Sequence, residues 1–291
     1  MNRSEQKFNA NESVIKVDGK DVKFFTSKPL EPIKDNEKKN PVVLVHGTGG
    51  STQIHFSSLF QLLATEHWVI SLDFTQPVNA DETLTLEHLG KQVEAVIEAA
   101  VSGESVTLIG YSLGAAVVAT VAAKRPDLVR NLVLIAGWMQ SDLQLKRFAA
   151  VWHQLYAIQS PAITDFMMYC AFRGPCHVNM LPDQIAHGFE NTHPGEFDAL
   201  QITLDAQVDI TQLVPAIKAT TLIIGCKYDH IIPTYHSKAL FGAIQDARYT
   251  EIECGHAVIY ERPFQLVQVI DQFCTAPSFY PAGTIIPTDQ P

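Results

Sequence analysis

The chain has 291 residues, of which 46% are hydrophobic and 18% are charged, and its formal net charge is −10. This composition is typical of a globular protein with a substantial core, formed by one large α/β domain or by two smaller domains. An acidic chain is poorly suited to nucleic acid, because phosphate contacts need clustered Lys and Arg. No nucleic-acid partner is therefore expected.

Signals for export, membrane insertion and metal binding are not apparent in the sequence. The polar segment "MNRSEQKFNANES" has no apolar core of the kind that signal peptides carry. No apolar run approaches the roughly 18 residues of a membrane-spanning helix. The five cysteines are an odd number, which without an export signal favours free thiols in a reducing cytoplasm. No cluster of cysteines or histidines has metal-ligand spacing, and no cofactor is expected.

In chain order, the first predicted elements are a hairpin and two strand–helix pairs. Residues 13–30 alternate with period two around Asp-Gly-Lys, which predicts two antiparallel strands. The apolar runs at 41–47 and 68–74 are typical of central strands. Apolar residues at helical spacing predict helices over 56–65 and 86–100.

The next elements continue the alternation of strands and helices. The run 105–110 predicts a strand that leads directly into an apolar helix at 113–124. A last helix is predicted from about Pro263 to Phe273. The remaining predicted strands are 131–137, 220–225 and 247–253. We therefore expect the α/β class, with a mostly parallel central sheet of about eight strands flanked by helices.

Residues 139–214 interrupt this alternation, because they contain no clear buried strand but many aromatic residues and methionines. A long insertion in a compact α/β domain is commonly functional, for example as a lid over a pocket. We therefore divide the chain into a core of residues 1–138 and 215–275, an insertion of residues 139–214 and a tail of residues 276–291. The tail is rich in proline, and we expect it to be extended.

The segment Gly110-Tyr111-Ser112-Leu113-Gly114 places a hydroxyl where a predicted strand meets a predicted helix. Gly-x-Ser-x-Gly is a weak motif alone, but in this context it predicts a nucleophile elbow. The glycines would relieve crowding at a sharp turn, and the helix N-terminus would favour negative charge near Ser112. The other interpretation is that Ser112 is simply a small residue in a tight turn.

A serine nucleophile needs a base, and the base needs an orienting acid. His256 lies in "ECGHAVIYERP", in a loop after a predicted strand, and Asp229 lies just beyond the strand in "TTLIIGCKYDHIIP". Both would lie at the strand ends, within reach of Ser112. Alternatively, Asp229 is a turn-forming residue and His256 a surface loop residue, but the order Ser–Asp–His at three strand ends favours a catalytic triad.

Four segments together resemble the α/β-hydrolase superfamily. They are "VLVHGTGG", "GYSLGA", "IIGCKYDHIIP" and "ECGHAVIYERP". The resemblance implies an α/β-hydrolase fold with a helical cap inserted after the sixth strand. It also implies that Ser112 is the nucleophile, His256 the base and Asp229 the acid.

The resemblance further implies an oxyanion hole formed by the backbone N–H groups of Thr48 and Leu113. Gly47 and Gly49 would let the backbone approach a substrate closely, although "HGTGG" could also be a simple flexible loop. This loop is not a phosphate-binding loop, because no Gly-Lys-Ser/Thr ends it.

The insertion offers candidates for the substrate pocket. Its apolar side chains include Trp152, Tyr156, Phe166, Met167, Met168, Tyr169, Phe172 and Met180. We expect Trp152, Tyr156, Met167 and Met168 to contact an apolar acyl group of medium size. The same residues would also suit the insertion's own core.

The predicted activity is a serine hydrolase that cleaves a carboxylic ester, a lactone or a thioester of a small acyl compound. A serine at position 112 disfavours the dehalogenase and epoxide hydrolase branches of the superfamily, which use aspartate. Two alternatives remain: a C–C bond hydrolase with the same triad, and a hydrolase-like receptor without catalysis. The sequence gives no indication of oligomeric state.

Overall fold

The computed structural model describes residues 10–28, 41–79, 82–101, 103–179 and 194–287. Met180, which was considered for the pocket, and the last residues of the tail lie outside these ranges. Among the described helices, none combines the length and the apolarity that crossing a bilayer requires.

The fold contains one eight-stranded sheet. Its strands are β1 (Asn11–Val17), β2 (Lys20–Thr26), β3 (Val42–Val45), β4 (Val69–Asp73), β5 (Val106–Tyr111), β6 (Val129–Ile135), β7 (Thr220–Cys226) and β8 (Ala247–Ile252). They lie in the order β1-β2-β4-β3-β5-β6-β7-β8. β2 is antiparallel to both β1 and β4, and every other pair is parallel. The predicted α/β class and mostly parallel sheet are therefore confirmed.

The helices connect these strands and cover the sheet. They are α1 (Thr52–Leu63), α2 (Leu86–Val101), α3 (Leu113–Lys124), α4 (Leu143–Ala157), α5 (Ala162–Ala171), α6 (Gly174–Asn179), α7 (Glu196–Asp205), α8 (Thr234–Ala243), α9 (Val258–Glu261) and α10 (Pro263–Thr275). Apolar residues of α2, α3 and α8 pack on one face of the sheet, and those of α1 and α10 pack on the other. Because both faces are covered, all four residues of β3 are fully buried.

The hairpin at the start of the sheet follows from its turn residues. Asp18 and Gly19 both have positive φ, 45° and 83°. Positive φ at both central residues defines the two-residue turn whose twist matches antiparallel strands, and Asp-Gly favours it. The predicted hairpin is confirmed by the pairing of β1 with β2, although its second strand ends at Thr26. Residues 29 and 30 of the predicted segment lie outside the described ranges.

The described part of the insertion between β6 and β7 is helical, comprising α4 to α7. It has a small apolar core of its own, formed by Ala149, Trp152, Ile163 and Ile202. An isolated antiparallel bridge between Gln140 and Asp209 closes its base. The helices lie at the carboxyl ends of the parallel strands, where α/β folds place their ligand sites.

The described part of the tail packs on the free edge of the sheet. Gly283 N donates to Ala247 O at 2.8 Å, Tyr249 N donates to Thr284 O at 3.0 Å, and Ile286 N donates to Tyr249 O at 2.7 Å. Residues 284–286 are extended and pair in parallel with β8 at Ile285. Residues 277–283 form turns and bends, so the prediction of an extended tail is wrong for this part.

Candidate active site

Ser112 lies in a strained turn between β5 and α3, with φ 55° and ψ −123°. Non-glycine residues rarely adopt positive φ, and such strain is commonly found at functional sites. The flanking glycines make the turn possible. A Cβ at Gly110 would approach Gly114 O to 2.3 Å, and one at Gly114 would approach Val45 O to 2.2 Å. The serine is therefore held at the point where β3, β5 and α3 converge.

The structure brings Ser112, His256 and Asp229 into one hydrogen-bonded chain. His256 Nε2 is 2.9 Å from Ser112 Oγ, and His256 Nδ1 is 2.6 Å from Asp229 Oδ2. All three residues are buried, with exposures of 9%, 7% and 6% in the same order. With Nδ1–H donated to Asp229, Nε2 is placed to accept the hydroxyl proton of Ser112.

Asp229 is fixed by the turn that follows β7. Its Oδ1 accepts hydrogen bonds from the backbone N–H groups of Ile231 at 2.8 Å and Ile232 at 2.7 Å. These bonds leave Oδ2 free for His256. A carboxylate that accepts backbone N–H bonds on one oxygen can orient an imidazole with the other.

His256 is positioned from both sides of its loop. Tyr111 Oη donates to the backbone O of His256 at 2.9 Å, and the next residue's N–H, Ala257 N, donates to Ala171 O at 2.9 Å. The buried Glu261 carboxylate accepts from Gly255 N at 3.1 Å and forms an ion pair with Arg173 Nε at 3.1 Å. The loop that carries His256 is thus tied to the end of α5.

The loop from Gly47 to Gly50 approaches Ser112 closely. A Cβ at Gly47 would lie 2.8 Å from Ser112 Cβ and 3.0 Å from Tyr111 O, so only glycine fits without displacement. The backbone N–H groups of Thr48 and Leu113, which the sequence predicts as oxyanion donors, have no hydrogen-bond partner among the described residues. Leu113 is the first residue of α3, so its N–H is one of the unpaired donors of a helix N-terminus.

A cavity of about 390 Å³ opens over Ser112 and His256. Its apolar lining includes Phe148, Trp152, Ile163, Met167, Met168 and Phe172. Its polar lining includes Thr48, His55, Asp198 and Asp205. A cavity of this size and lining is typical of a site for a small molecule with an apolar part.

The predicted pocket residues are only partly found in this wall. Trp152, Met167, Met168 and Gly49 line the cavity. Tyr156 lies behind the wall and stacks on Trp152, with ring centroids 5.1 Å apart. Gly47 packs against Ser112 instead of lining the described cavity. Tyr156 and Gly47 were predicted to contact the substrate. In the structure they pack against Trp152 and Ser112, and these two residues line the cavity.

Comparison with known proteins identifies the family of the chain. Residues 42–269 match the profile of the alpha/beta hydrolase family. The chain belongs to this family. It is 30% identical over 240 residues to pyrrolizixenacetamide deacetylase of Xenorhabdus hominickii, across 80% of this chain and 90% of the relative.

Two further comparisons extend this result. The chain is 27% identical over 258 residues to 2-hydroxy-6-oxo-2,4-heptadienoate hydrolase of Pseudomonas putida, across 81% of this chain and 90% of the relative. MGS-M2, an alpha/beta hydrolase enzyme from a Medee basin deep-sea metagenome library, matches the fold with a TM-score of 0.76 at 19% identity. That match covers 90% of this chain and 96% of MGS-M2.

The site of this alpha/beta hydrolase includes residues on α7 that sequence analysis missed. Thr48 Oγ1 donates to Asp205 Oδ2 at 2.7 Å, and Gly49 N donates to Gln201 Oε1 at 2.8 Å. Burial raises the pKa of Asp205 to about 7, against the lowering effects of the Thr48 hydrogen bond and of His256. Asp198, Gln201 and Asp205 share one helix face, and this helical spacing of polar residues was the available signal.

Two neutral histidines beneath the Gly47 to Gly50 loop were also missed. Burial, with smaller contributions from His46 and His256, lowers the pKa of His55 to about 3. Its Nδ1 accepts from Gly47 N at 3.3 Å. Burial likewise lowers the pKa of His46, whose Nε2 accepts from Phe74 N at 3.1 Å and whose Nδ1 is 2.8 Å from Gly47 O. Both rings therefore hold the loop in their neutral forms.

Proposed function

We propose that this alpha/beta hydrolase cleaves small acyl compounds by transferring the acyl group to Ser112 and then to water. The observation that carries this proposal is the continuous chain of hydrogen bonds from Asp229 through His256 to Ser112 at the bottom of the cavity. A serine hydroxyl is a weak nucleophile unless a base removes its proton as it attacks. His256 Nε2, at 2.9 Å, is within proton-transfer distance of the hydroxyl oxygen.

In the first step, Ser112 Oγ attacks the carbonyl carbon while His256 accepts its proton. Asp229 holds the imidazole in the required tautomer and stabilises its protonated form. The carbonyl oxygen becomes an oxyanion, which accepts hydrogen bonds from the N–H groups of Thr48 and Leu113. Two donors fixed in this way stabilise the charge because they need no reorganisation during the reaction.

In the second half of the reaction, His256 returns the proton to the leaving group, and the acyl group remains on Ser112. Water then attacks the acyl-enzyme, again with His256 as base, and the acid product leaves. All side chains that handle protons in this scheme belong to the strand ends of the sheet.

We further propose that the insertion from 139 to 214 is a cap that selects the acyl group. Its apolar wall, formed in part by Trp152, Met167 and Met168, suits a hydrocarbon group of medium size. Esters, lactones and thioesters all present a carbonyl that this geometry accommodates. The similarity to pyrrolizixenacetamide deacetylase adds amides to the candidate substrates. The substrate is proposed to be a small molecule in the cytoplasm.

A second candidate function is hydrolysis of a carbon–carbon bond next to a ketone. The observation in its favour is the 27% identity to 2-hydroxy-6-oxo-2,4-heptadienoate hydrolase. Turnover of a vinylogous diketone faster than of any ester would favour this activity over ester hydrolysis.

The direct test uses a panel of p-nitrophenyl esters of increasing acyl length, with lactones, acyl thioesters and a vinylogous diketone. Wild type and the Ser112→Ala variant are assayed together, and both are treated with a fluorophosphonate probe. The proposal expects turnover and labelling by wild type and neither by the variant. If neither protein turns over any compound of the panel and neither is labelled, the result would instead support a non-catalytic receptor.

A further inference from the structure

Glu261, the last residue of α9, has an enclosed carboxylate between the loop of His256 and the end of α5. None of its side chain is exposed, and its Oε2 lies 3.1 Å from Arg173 Nε. An enclosed ion pair adds little net stability, because the cost of removing both charges from water offsets their attraction. Stability alone therefore does not account for a carboxylate at this position.

The other carboxylate oxygen, Oε1, accepts two backbone hydrogen bonds from different parts of the chain. One comes from Gly255 N at 3.1 Å, and Gly255 immediately precedes His256. The other comes from Arg173 N at 3.0 Å. Hydrogen bonds to an ionised acceptor are stronger than those between neutral groups. A single oxygen atom thus joins the loop of the proposed base to the insertion.

The loop of residues 255–257 lies between β8 and α9 and takes no part in the sheet. Its position therefore depends on contacts with neighbouring elements. Ala257 N donates to Ala171 O at 2.9 Å. At Gly255 the approach is so close that an added Cβ would lie 2.6 Å from Ala171 O and 2.8 Å from Arg173 N. The loop is thus packed directly against the end of α5.

The imidazole of His256 has hydrogen-bond partners on both of its nitrogen atoms. Nε2 lies 2.9 Å from Ser112 Oγ, and Nδ1 lies 2.6 Å from Asp229 Oδ2. Proton transfer requires this spacing, and a displacement of about 1 Å at a catalytic group can lower the rate about 10²-fold. The position of the loop that carries His256 is therefore important for the proposed chemistry.

We propose that Glu261 is a positioning residue, whose Oε1 holds the loop of His256 against the end of α5. Glu261 is not among the residues that line the described cavity, so it acts through His256 and not on the substrate. Because α5 also carries Met167 and Met168 of the cavity lining, the same contact fixes the base relative to the wall that would receive the acyl group. This inference deepens the proposed function and rests on it.

The test separates the hydrogen bond from the ion pair with two double variants. Arg173→Met/Glu261→Gln removes the ion pair, but its amide oxygen can still accept from Gly255 N. Arg173→Met/Glu261→Met removes both, with a side chain of similar size. Changing both members of the ion pair avoids leaving an unpaired buried charge. Steady-state kinetics on p-nitrophenyl acetate give kcat and KM for each variant, and complete labelling with the fluorophosphonate probe counts the active sites.

We expect kcat per active site to be about tenfold or more lower in Arg173→Met/Glu261→Met than in Arg173→Met/Glu261→Gln, with KM values within about threefold of each other. The Gln variant should retain most of the wild-type kcat, because the acceptor for Gly255 N is restored. A structural role alone would change the number of active sites and leave kcat per site constant. Equal kcat in the two double variants, or a difference confined to KM, overturns the proposal.

A second substitution is used if Arg173→Met/Glu261→Met yields no folded protein by circular dichroism. Gly255→Ala forces the loop away from Ala171 O without changing Glu261. Gly174→Ala is the matched control, since a Cβ there meets no atom within 4 Å. Gly255→Ala should lose kcat by about tenfold or more, while Gly174→Ala keeps it. Wild-type kcat in Gly255→Ala overturns the proposal.

The Ser112→Ala variant separates failure of this inference from failure of the proposed function. Ester turnover that persists in Ser112→Ala rejects the acyl-enzyme mechanism, and with it the role of His256 as its base. If Ser112→Ala is inactive and the two double variants have equal kcat, only the role of Glu261 is rejected.

Discussion

The cavity is built from two regions that differ in how they are held. Its floor consists of Ser112 and His256, with Asp229 behind them, and the loop from Gly47 to Gly50. Hydrogen bonds with strand residues hold Ser112 and His256. Its roof consists of α4 to α7, which pack mainly through apolar and aromatic side chains. Polar contacts join the two regions. They include the bonds from Thr48 to Asp205 and from Gly49 N to Gln201, the bond from Ala257 N to Ala171 O, and the ion pair between Arg173 and Glu261.

This difference indicates that chemistry and substrate choice can vary separately. The floor is inseparable from the sheet, because its residues lie at strand ends whose positions are set by backbone pairing. The apolar wall of the roof, away from these polar contacts, can be repacked around a new acyl group without changing the distance between His256 and Ser112. Substitutions in the floor should therefore change the rate of reaction, and those in the roof should change which substrate reacts.

The largest expected effect is that of Ser112→Ala on the floor. We expect ester turnover to fall by about 10⁴-fold or more, because the covalent step is lost while binding in the cavity remains. Steady-state kinetics on p-nitrophenyl acetate measure this loss. Binding of acetanilide, followed by calorimetry, serves as the check on an intact roof. If the variant retains turnover within tenfold of wild type, the floor does not determine the reaction rate and the contrast between floor and roof fails.

The next effect is that of Gly47→Ala, which adds a methyl group 2.8 Å from Ser112 Cβ. The Gly47 to Gly50 loop must move, and with it the N–H of Thr48. We expect kcat to fall about 10²–10³-fold, comparable to the loss of one oxyanion donor.

A matched control for this substitution is Gly242→Ala on α8. A Cβ at Gly242 meets no atom within 4 Å. This variant should keep wild-type kcat, and it should gain slight stability from the helix preference of alanine. A Gly47→Ala variant as active as Gly242→Ala would show that the position of the loop is unimportant.

In the roof, Met167→Ala should change the preference for acyl length. Met167 lines the cavity and is only half-buried, so its truncation enlarges the site without removing a core residue. We expect the ratio of kcat/KM for long over short p-nitrophenyl esters to change about tenfold, the effect of one or two methylene groups. Tyr169→Ala, on the exposed side of α5, is the control and should leave the ratio constant. If kcat/KM falls equally for every ester, Met167 affects the reaction itself, as floor residues do, and not the choice of acyl group.

The smallest expected effect concerns stability and pH. The pKa of His55 is lowered to about 3 in the folded protein, whereas an unfolded histidine has a pKa of about 6.5. Below about pH 6.5 the unfolded chain therefore binds a proton that the folded chain does not. Folding stability should fall as the pH is lowered from 7.5 to 5, and it should fall less in His55→Gln.

Urea unfolding at the two pH values measures this difference. The exposed His230, changed to Gln, provides the comparison. His230→Gln should retain the pH dependence of wild type. If His55→Gln and wild type have the same pH dependence, a charged His55 is tolerated beneath the loop.

The floor could be predicted from the sequence because each of its parts depends on local pattern and on chain order. The Gly110 to Gly114 segment marks a strand-to-helix turn, and Asp229 and His256 follow recognisable strands. Parallel strands bring such ends to one edge of the sheet. The proximity of these three side chains, far apart in sequence, thus follows from the fold class.

The roof could not be predicted in the same way. Tyr156 and Trp152 lie one helical turn apart, and only the docking of α4 decides that Trp152 lines the cavity while Tyr156 stacks behind it. The sequence analysis assigned no role to Asp205. Its importance depends on where α7 lies relative to Thr48, a contact between residues far apart in the chain. Long-range side-chain packing of this kind leaves little periodic signal.

The C-terminal segment that pairs with β8 has a practical consequence. It occupies backbone donors and acceptors of Tyr249, which on an exposed edge would template intermolecular strand addition. A chain shortened before Gly283 would expose this edge, and it should aggregate at concentrations that the full chain tolerates. An affinity tag for purification is therefore better placed at the opposite terminus.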